Sequence, residues 1–345
     1  MRERTFCQAL NEAIHQEMER DPAVFVYGVG VPDQQMFGST AGVLERFGPE
    51  RCFDTPIAEE AMTGFGLGAA LNGLRPIHLH IRMDFLLLAT NQLINMFSSY
   101  AYGSGGTLKV PMVIRAMVGR GFGQGYQHSK SLHALFAHIP GLKVVLPTTP
   151  QDAKGLLIAA IRDDNPVVFI EHRWLYWATG DVPEEPYAIP LGEASVLREG
   201  TDVTVVATSW LNVEALHAAQ ILERRGVSIE IIDPRTIAPL DEATIVTSVQ
   251  KTGRCLVADN DWVFCGFSAE VAACVAERCF GSLHGPVRRL GFAPTPCPTV
   301  RVLENAFYPN AATIVRTIED MLHLSPTDLS SEDFYSHERR FKGPF

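Results

Sequence analysis

Apolar positions in this chain switch between two periods. Phe6, Leu10 and Ile14 recur at helical spacing, and Val24-Phe25-Val26-Tyr27 then forms an unbroken apolar run closed by Gly28. Further runs of strand length lie at 76–81, 110–114, 142–146 and 167–170, with helical periods between them at 58–71, 85–100 and 151–162. Near-continuous apolar strands separated by helices predict a parallel sheet covered on both faces. Residues 179–200 break the rhythm with several prolines and little periodicity, which reads as a linker. The alternation then restarts. Strands are expected at 203–207, 228–232, 255–258 and 287–290, and helices at 213–225, 242–250, 269–280 and 311–324. The fold class is therefore α/β, with two successive parallel-sheet sandwich domains at 1–178 and 201–324 and a polar tail at 325–345.

Composition narrows the function classes. The net charge of −10 disfavours a non-specific grip on nucleic acid or an anionic membrane. No stretch approaches the ~20 apolar residues needed to span a bilayer, and the N-terminal Met-Arg-Glu-Arg-Thr-Phe lacks a signal peptide's apolar run. Seven scattered cysteines without a C-x-x-C pair suit reduced thiols, so a cytoplasmic setting is expected.

Candidate chemistry gathers after the short strand expected at 51–53. Asp54-Thr55-Pro56-Ile57-Ala58-Glu59-Glu60 sits where ligands collect, at a strand's carboxyl end. Two acids at a helix start also have a plain explanation, since carboxylates favour the positive end of a helix. The glycines of Thr63-Gly64-Phe65-Gly66-Leu67-Gly68 fall inside a helical stretch, which indicates close helix packing and not a nucleotide loop. Gln127-His128-Ser129 follows a glycine-rich stretch at 119–125 that can present a histidine to a cleft.

Taken in order, the motifs resemble one family. D-T-P-I-x-E, G-L-R-P, Gln127-His128-Ser129, P-G-L-K-V-V-x-P, A-I-R-D-D-N-P-V-V-F and D-P-R-T-I-x-P-L-D match the beta subunits of 2-oxoacid dehydrogenase decarboxylase components, within the transketolase-like superfamily. The resemblance implies a thiamine-diphosphate enzyme. Glu59 would hydrogen-bond the coenzyme's pyrimidine ring and favour its imino tautomer, Phe85 would pack on that ring, and Ile57 and Ile81 would be neighbouring apolar contacts. His128 would orient substrate or move a proton. A potassium ion would rest on backbone oxygens near Met112, Ala160, Ile161, Asp163 and Asn165. The magnesium-binding G-D-G motif of thiamine enzymes is absent. The resemblance therefore implies that magnesium and the diphosphate are held by an alpha subunit in an α2β2 heterotetramer. The acyl group would pass to a lipoyl-bearing acyltransferase. A transketolase-like transfer of two carbons to an aldehyde or sugar is the alternative. A non-catalytic assembly subunit is disfavoured by the presence of both Glu59 and His128.

Three places depart from the family pattern. Gly28-Val29-Gly30-Val31 stands where a carboxylate is common, and His78-Leu79-His80-Ile81-Arg82-Met83 replaces V-E-F-M-T-F. Strand alternation puts His78, His80 and Arg82 on one face, as three potential cations for an anionic substrate or for a partner's acids. The tail beyond Leu324 holds aromatic residues that disordered segments usually lack, so it is expected to lie against a folded body.

Overall fold

The computed structural model describes residues 1–33, 38–119 and 124–334. Part of the glycine-rich stretch at 119–125 and all of the tail from 335 lie outside the described residues. The chain forms two compact units, one from the described residues up to 119 and 127–191, the other from 124–126 and 192–334. No helix among the described residues is long and apolar enough to cross a membrane. No disulfide joins the seven cysteines.

The first unit begins with strand β1 (Arg2–Thr5) and helix α1 (Phe6–Arg20), then β2 (Val24–Gly28), α2 (Val43–Phe47), β3 (Cys52–Phe53), α3 (Glu59–Leu71) and β4 (Arg75–His80). It continues through α4 (Met83–Leu86), a π-helical turn at Asn91–Phe97, α5 (Ser98–Gly103), β5 (Val113–Val118), α6 (His133–Ala137), β6 (Lys143–Val145), α7 (Pro150–Arg162), β7 (Val167–His172) and β8 (Thr179–Val182). Six strands run parallel in the order β6-β7-β5-β4-β2-β3. Strands β2, β5 and β7 are buried along their whole length, which is why they lack polar alternation.

Helix α1 starts from a capping box in which Thr5 and Gln8 satisfy each other's backbone amides. Its buried Glu17 takes the guanidinium of α7's Arg162, at 2.6 Å, and that of Arg20, at 2.9 Å. The helix expected at 85–100 is instead broken into α4, a 3-10 turn, the π-turn and α5. Apolar spacing alone cannot show such changes of pitch.

The second unit contains β9 (Ser195–Arg198), β10 (Val203–Ala207), α8 (Trp210–Glu223), β11 (Ile229–Asp233), β12 (Thr236–Ala238), α9 (Glu242–Thr252), β13 (Cys255–Trp262), α10 (Phe267–Cys279), β14 (Arg288–Phe292), α11 (Arg301–Phe307) and α12 (Ala311–Met321). Its sheet has the order β14-β13-β10-β11-β9, parallel except for β9. The stretch at 179–200 is thus more than a linker. Its two ends pair antiparallel, β8 with β1 and β9 with β11. Each is a short edge strand with half-exposed residues, so neither has the apolar run that marks a buried one.

Residues 325–334 lie against α8 and α12. Thr327 donates its amide to Glu319 at 2.7 Å, Arg225 reaches Thr327 Oγ1 at 2.9 Å, and Glu332 pairs with Arg224. Leu329 and Phe334 pack on the apolar core of this unit. Below them, buried Glu214 accepts from the indole of Trp210 at 3.0 Å and from the amide of Ala311, at the start of α12, at 2.7 Å. Burial outweighs these two bonds and pushes the Glu214 carboxyl up to about 7.

Two outcomes follow from this packing. A methyl group on Gly66 would stand 2.2 Å from the Tyr27 hydroxyl and 2.5 Å from Met112 Cε, whereas one on Gly68 would meet nothing within 4 Å. Gly66→Ala should lower stability by about 1–3 kcal/mol in thermal melts, and Gly68→Ala should hold or raise it by up to ~1 kcal/mol through helix propensity. For Glu214 the folded pKa lies above the unfolded value. Its contribution is therefore fully present below about pH 4.5 and is lost as pH rises towards about 7. Glu214→Gln cannot ionise, so its melting temperature relative to the parent should climb between pH 5 and pH 8. A constant difference would refute the assignment.

Candidate functional site

The carboxyl ends of β2, β3 and β4 open into one small cleft in the first unit. Val29, Thr55, Pro56, Ala58, Glu59, Met62, His78, Leu79, His80, Ile81 and Phe85 line it. The loop below is built tightly. Asp54 accepts from the amides of Gly30 at 2.8 Å and Thr55 at 2.9 Å, tying the exit of β3 to that of β2. Gly28 adopts φ 148° beside the Leu79 carbonyl, where an added Cβ would come within 2.5 Å. A side chain at this position is therefore excluded.

Helix α3 opens at the cleft with Ala58 as a cap that makes no side-chain hydrogen bond. The two adjacent acids then separate in role. Glu60 is exposed and accepts from Gln92 at 3.1 Å. Glu59 is half-buried, lines the cleft, and makes no hydrogen bond or ion pair among the described residues of the chain. Phe85, Ile81, Leu79 and Met62 supply apolar walls around it. A carboxylate without a partner, set among an aromatic ring and aliphatic side chains, fits a flat heterocycle that carries a hydrogen-bonding nitrogen.

His128 stands edge-on to Phe85, with ring centroids 5.2 Å apart at 81°. The loop that carries it is held by α4. Asp84 accepts from the Lys130 ammonium at 3.1 Å and from its amide at 3.4 Å. Burial pushes the Asp84 carboxyl up, and the Lys130 ammonium opposes this. Glu59, Ile81, Phe85 and His128 thus share one region. Ile57 does not join the cleft lining; its side chain is 79% exposed in this chain.

The cluster of histidines requires a correction. His78 and His80 alternate onto one face of β4 as expected, but they are not free cations. His78 Nδ1 and His80 Nε2 lie 3.1 Å apart, and Thr63 Oγ1 is 3.1 Å from His80 Nε2. Burial lowers His80 to about 4, and burial together with its neighbour lowers His78 well below the usual histidine range. Arg82 lies beyond the end of the strand and donates to the Gly119 carbonyl. Thr63 and Tyr27, whose ring stacks on His78 at 4.3 Å, are partners that strand alternation alone does not reveal. The helical i+4 spacing from Glu59 to Thr63 was the available signal.

The carbonyl groups considered for potassium gather between α7 and β7. Those of Ile161 and Asp163 accept from Arg75 Nη1 at 3.1 and 3.0 Å. The Ala160 carbonyl accepts from the Asp163 amide at 3.3 Å and that of Met112 from the Val167 amide at 3.0 Å. The Asp163 carboxylate pairs with Lys143 and takes the Asn165 amide at 2.9 Å. Carbonyl oxygens with a second lone pair still fit a weakly held monovalent cation. No group of three or more His, Cys, Asp or Glu among the described residues is placed to hold a metal ion.

Comparison with known proteins places this geometry in a family. Residues 2–177 match the transketolase pyrimidine binding domain, and residues 192–314 match the transketolase C-terminal domain. The chain is 44% identical over 317 residues to the beta subunit of acetoin:2,6-dichlorophenolindophenol oxidoreductase from Cupriavidus necator, covering 89% of this chain and 94% of that one. It is 41% identical to the 2-oxoisovalerate dehydrogenase beta subunit of Bacillus subtilis, covering 92% and 98%. It is 40% identical to the pyruvate dehydrogenase E1 beta subunit of Rickettsia felis, covering 93% and 99%. A split-gene transketolase, solved as an inactive beta4 tetramer, superposes with a TM-score of 0.74 over 93% of this chain and 99% of that one; at 23% identity it supports the fold alone. The relatives favour the dehydrogenase reading over transketolase chemistry, and the chain belongs to the thiamine-diphosphate-dependent family of 2-oxoacid dehydrogenase beta subunits.

Proposed function

We propose that this chain supplies the pyrimidine-binding half of an active site shared with an alpha subunit in an α2β2 assembly in the cytoplasm, acting on a 2-oxoacid. The observation that carries this reading is Glu59, a carboxylate without a partner among the described residues, in a cleft walled by Phe85 and Ile81. Thiamine diphosphate bound here supplies the carbon nucleophile and the electron sink for decarboxylation. Glu59 would hold the ring through a nitrogen and exchange a proton there. Phe85 would pack on the ring, while Ile81 and Leu79 would keep water from it. His128, fixed beside Phe85, orients substrate or moves a proton during acyl transfer. Magnesium and the diphosphate would be held by the alpha subunit, a reading supported by the lack of a G-D-G motif in this sequence.

The acyl group passes to the lipoyl arm of an acyltransferase. A second reading, direct transfer to a soluble acceptor, is favoured by one observation: residues 325–334 cover part of α8 and α12. Titration with a peripheral subunit-binding domain separates the two, since tight binding excludes the second.

In the reconstituted assembly, Glu59→Gln should lose roughly 10²–10⁴-fold in turnover while Glu60→Gln stays close to the parent. The reverse pattern would show that the wrong carboxylate was chosen. The chain without its partner should take up little thiamine diphosphate by calorimetry.

Potassium on the carbonyls of Met112, Ala160, Ile161, Asp163 and Asn165 would brace the end of α7 alongside Arg75. Replacing potassium chloride by tetramethylammonium chloride should then lower the melting temperature saturably. An unchanged melt removes the ion from the reading.

A further inference from the structure

His78 and His80 replace residues of the family pattern, line the same cleft as Glu59, and are only 3% and 4% exposed. Their geometry links their protons. The short contact joins His78 Nδ1 to His80 Nε2 at 3.1 Å, with Thr63 Oγ1 3.5 Å from the first and 3.1 Å from the second. Only one of the facing nitrogens can carry the hydrogen between them. If it is His80 Nε2, His78 must accept on Nδ1 and carry its own proton on Nε2. If it is His78 Nδ1, His80 carries its proton on Nδ1. The two rings therefore share one tautomer, either both Nε2–H or both Nδ1–H. His78 Nε2 and His80 Nδ1, the remaining nitrogens, have no protein partner among the described residues.

We propose that His78 and His80 form a tautomer-coupled proton-handling pair in the wall of the Glu59 cleft, acting on the ligand that Glu59 grips. The inference rests on the functional reading above. A proton arriving at His80 Nδ1 releases the Nε2 proton of that ring to His78 Nδ1, and the Nε2 proton of His78 leaves. One proton enters, one departs, and both rings end neutral in the other tautomer. The reverse sequence restores the first state.

The surroundings suit this role. Tyr27 faces the pair from β2, stacked on His78 at 8°, and donates its hydroxyl to the Met62 carbonyl at 2.9 Å. Burial holds that phenol well above its ordinary range. From β5, Ile114 and Ala116 stand opposite His78 and His80 in register. Arg115 alternates to the other face of β5, where it pairs with Glu171. Glu59 and Thr63 approach from α3, and Glu59 is the one carboxylate lining the cleft among the described residues. Among the described residues no cation is found to raise either ring, and burial favours the neutral form of both. A linked shift relays a proton across both rings without leaving a buried charge, whose desolvation would be costly.

The test uses the full chain labelled with ¹⁵N-histidine, first without ligand and then assembled with its alpha subunit. Nitrogen shifts should show both rings neutral and in the same tautomer from pH 8 to pH 5.5. Adding thiamine diphosphate and magnesium to the assembly should move the tautomer balance of both rings together. His80→Phe should abolish that response at His78 and leave coenzyme affinity by calorimetry within about tenfold. Its turnover of pyruvate with 2,6-dichlorophenolindophenol as acceptor should fall roughly 10²-fold and recover in part with added imidazole. His78→Phe, measured in parallel, should give the same loss if one variant fails to fold. Opposite tautomers, independent titration near pH 6.5, or unaltered turnover and pH profile in a folded His80→Phe assembly would overturn the proposal. If the assembly takes up no thiamine diphosphate, the functional reading fails instead, and the tautomer link in the ligand-free chain is judged on its own.

Discussion

The close approach of helix α3 to strands β2 and β4 is the contact on which the cleft depends. Gly66 lets the helix backbone rest against the Tyr27 hydroxyl and the Met112 side chain, where even a methyl group would collide. One turn earlier Thr63 meets the His78–His80 pair, and one turn before that Glu59 reaches the cleft. These three positions follow helical spacing along one side of α3. A shift of the helix off the sheet would therefore displace the carboxylate together with its supports. The first turn has no side-chain cap to hold it, so the packing beneath it sets where Glu59 stands.

Charge in this unit is placed where it has a partner. The Arg115 guanidinium is fully buried and meets Glu171, whose carboxylate also accepts from the Tyr176 hydroxyl at 2.6 Å. Lys154, equally buried, donates to Glu12 and to the carbonyls of Pro183 and Glu184 at 2.8 Å each. Leaving one member of such a group alone would strand a desolvated charge, a cost of several kcal/mol. Glu59 is different: it is half-buried, has no partner among the described residues, and opens onto a cleft. That contrast, more than the presence of an acid at a helix start, sets Glu59 apart from Glu12 and Glu171.

The departures from the family pattern change the wall of the cleft and leave its frame intact. Val29 lines the cleft where a carboxylate is common, and a neutral pair of imidazoles stands where the pattern has valine and phenylalanine. The result is a site with one anionic group and two weakly basic rings that share a proton. Such a wall suits the handling of protons at a ring or carbonyl better than the capture of a second anion.

Much of the fold was legible because buried parallel strands and amphipathic helices write their periods into the chain. The apolar runs at 24–27 and 167–170 became β2 and β7 for that reason, and the helical period at 151–162 became α7. The motif around Glu59 likewise placed that residue at a strand's carboxyl end, where the cleft lies. Other features depend on distant partners and have no local signature. Strands β8 and β9 exist because β1 and β11 offer edges to them. The helical stretch after Phe85 changes pitch under packing that no periodicity records. Above all, sequence showed three potential cations near residue 80, whereas tertiary structure paired two of them with each other. Spacing along a strand determines which side chains share a face. Only the folded neighbours determine how far they are dried, what they bond to, and whether they carry charge.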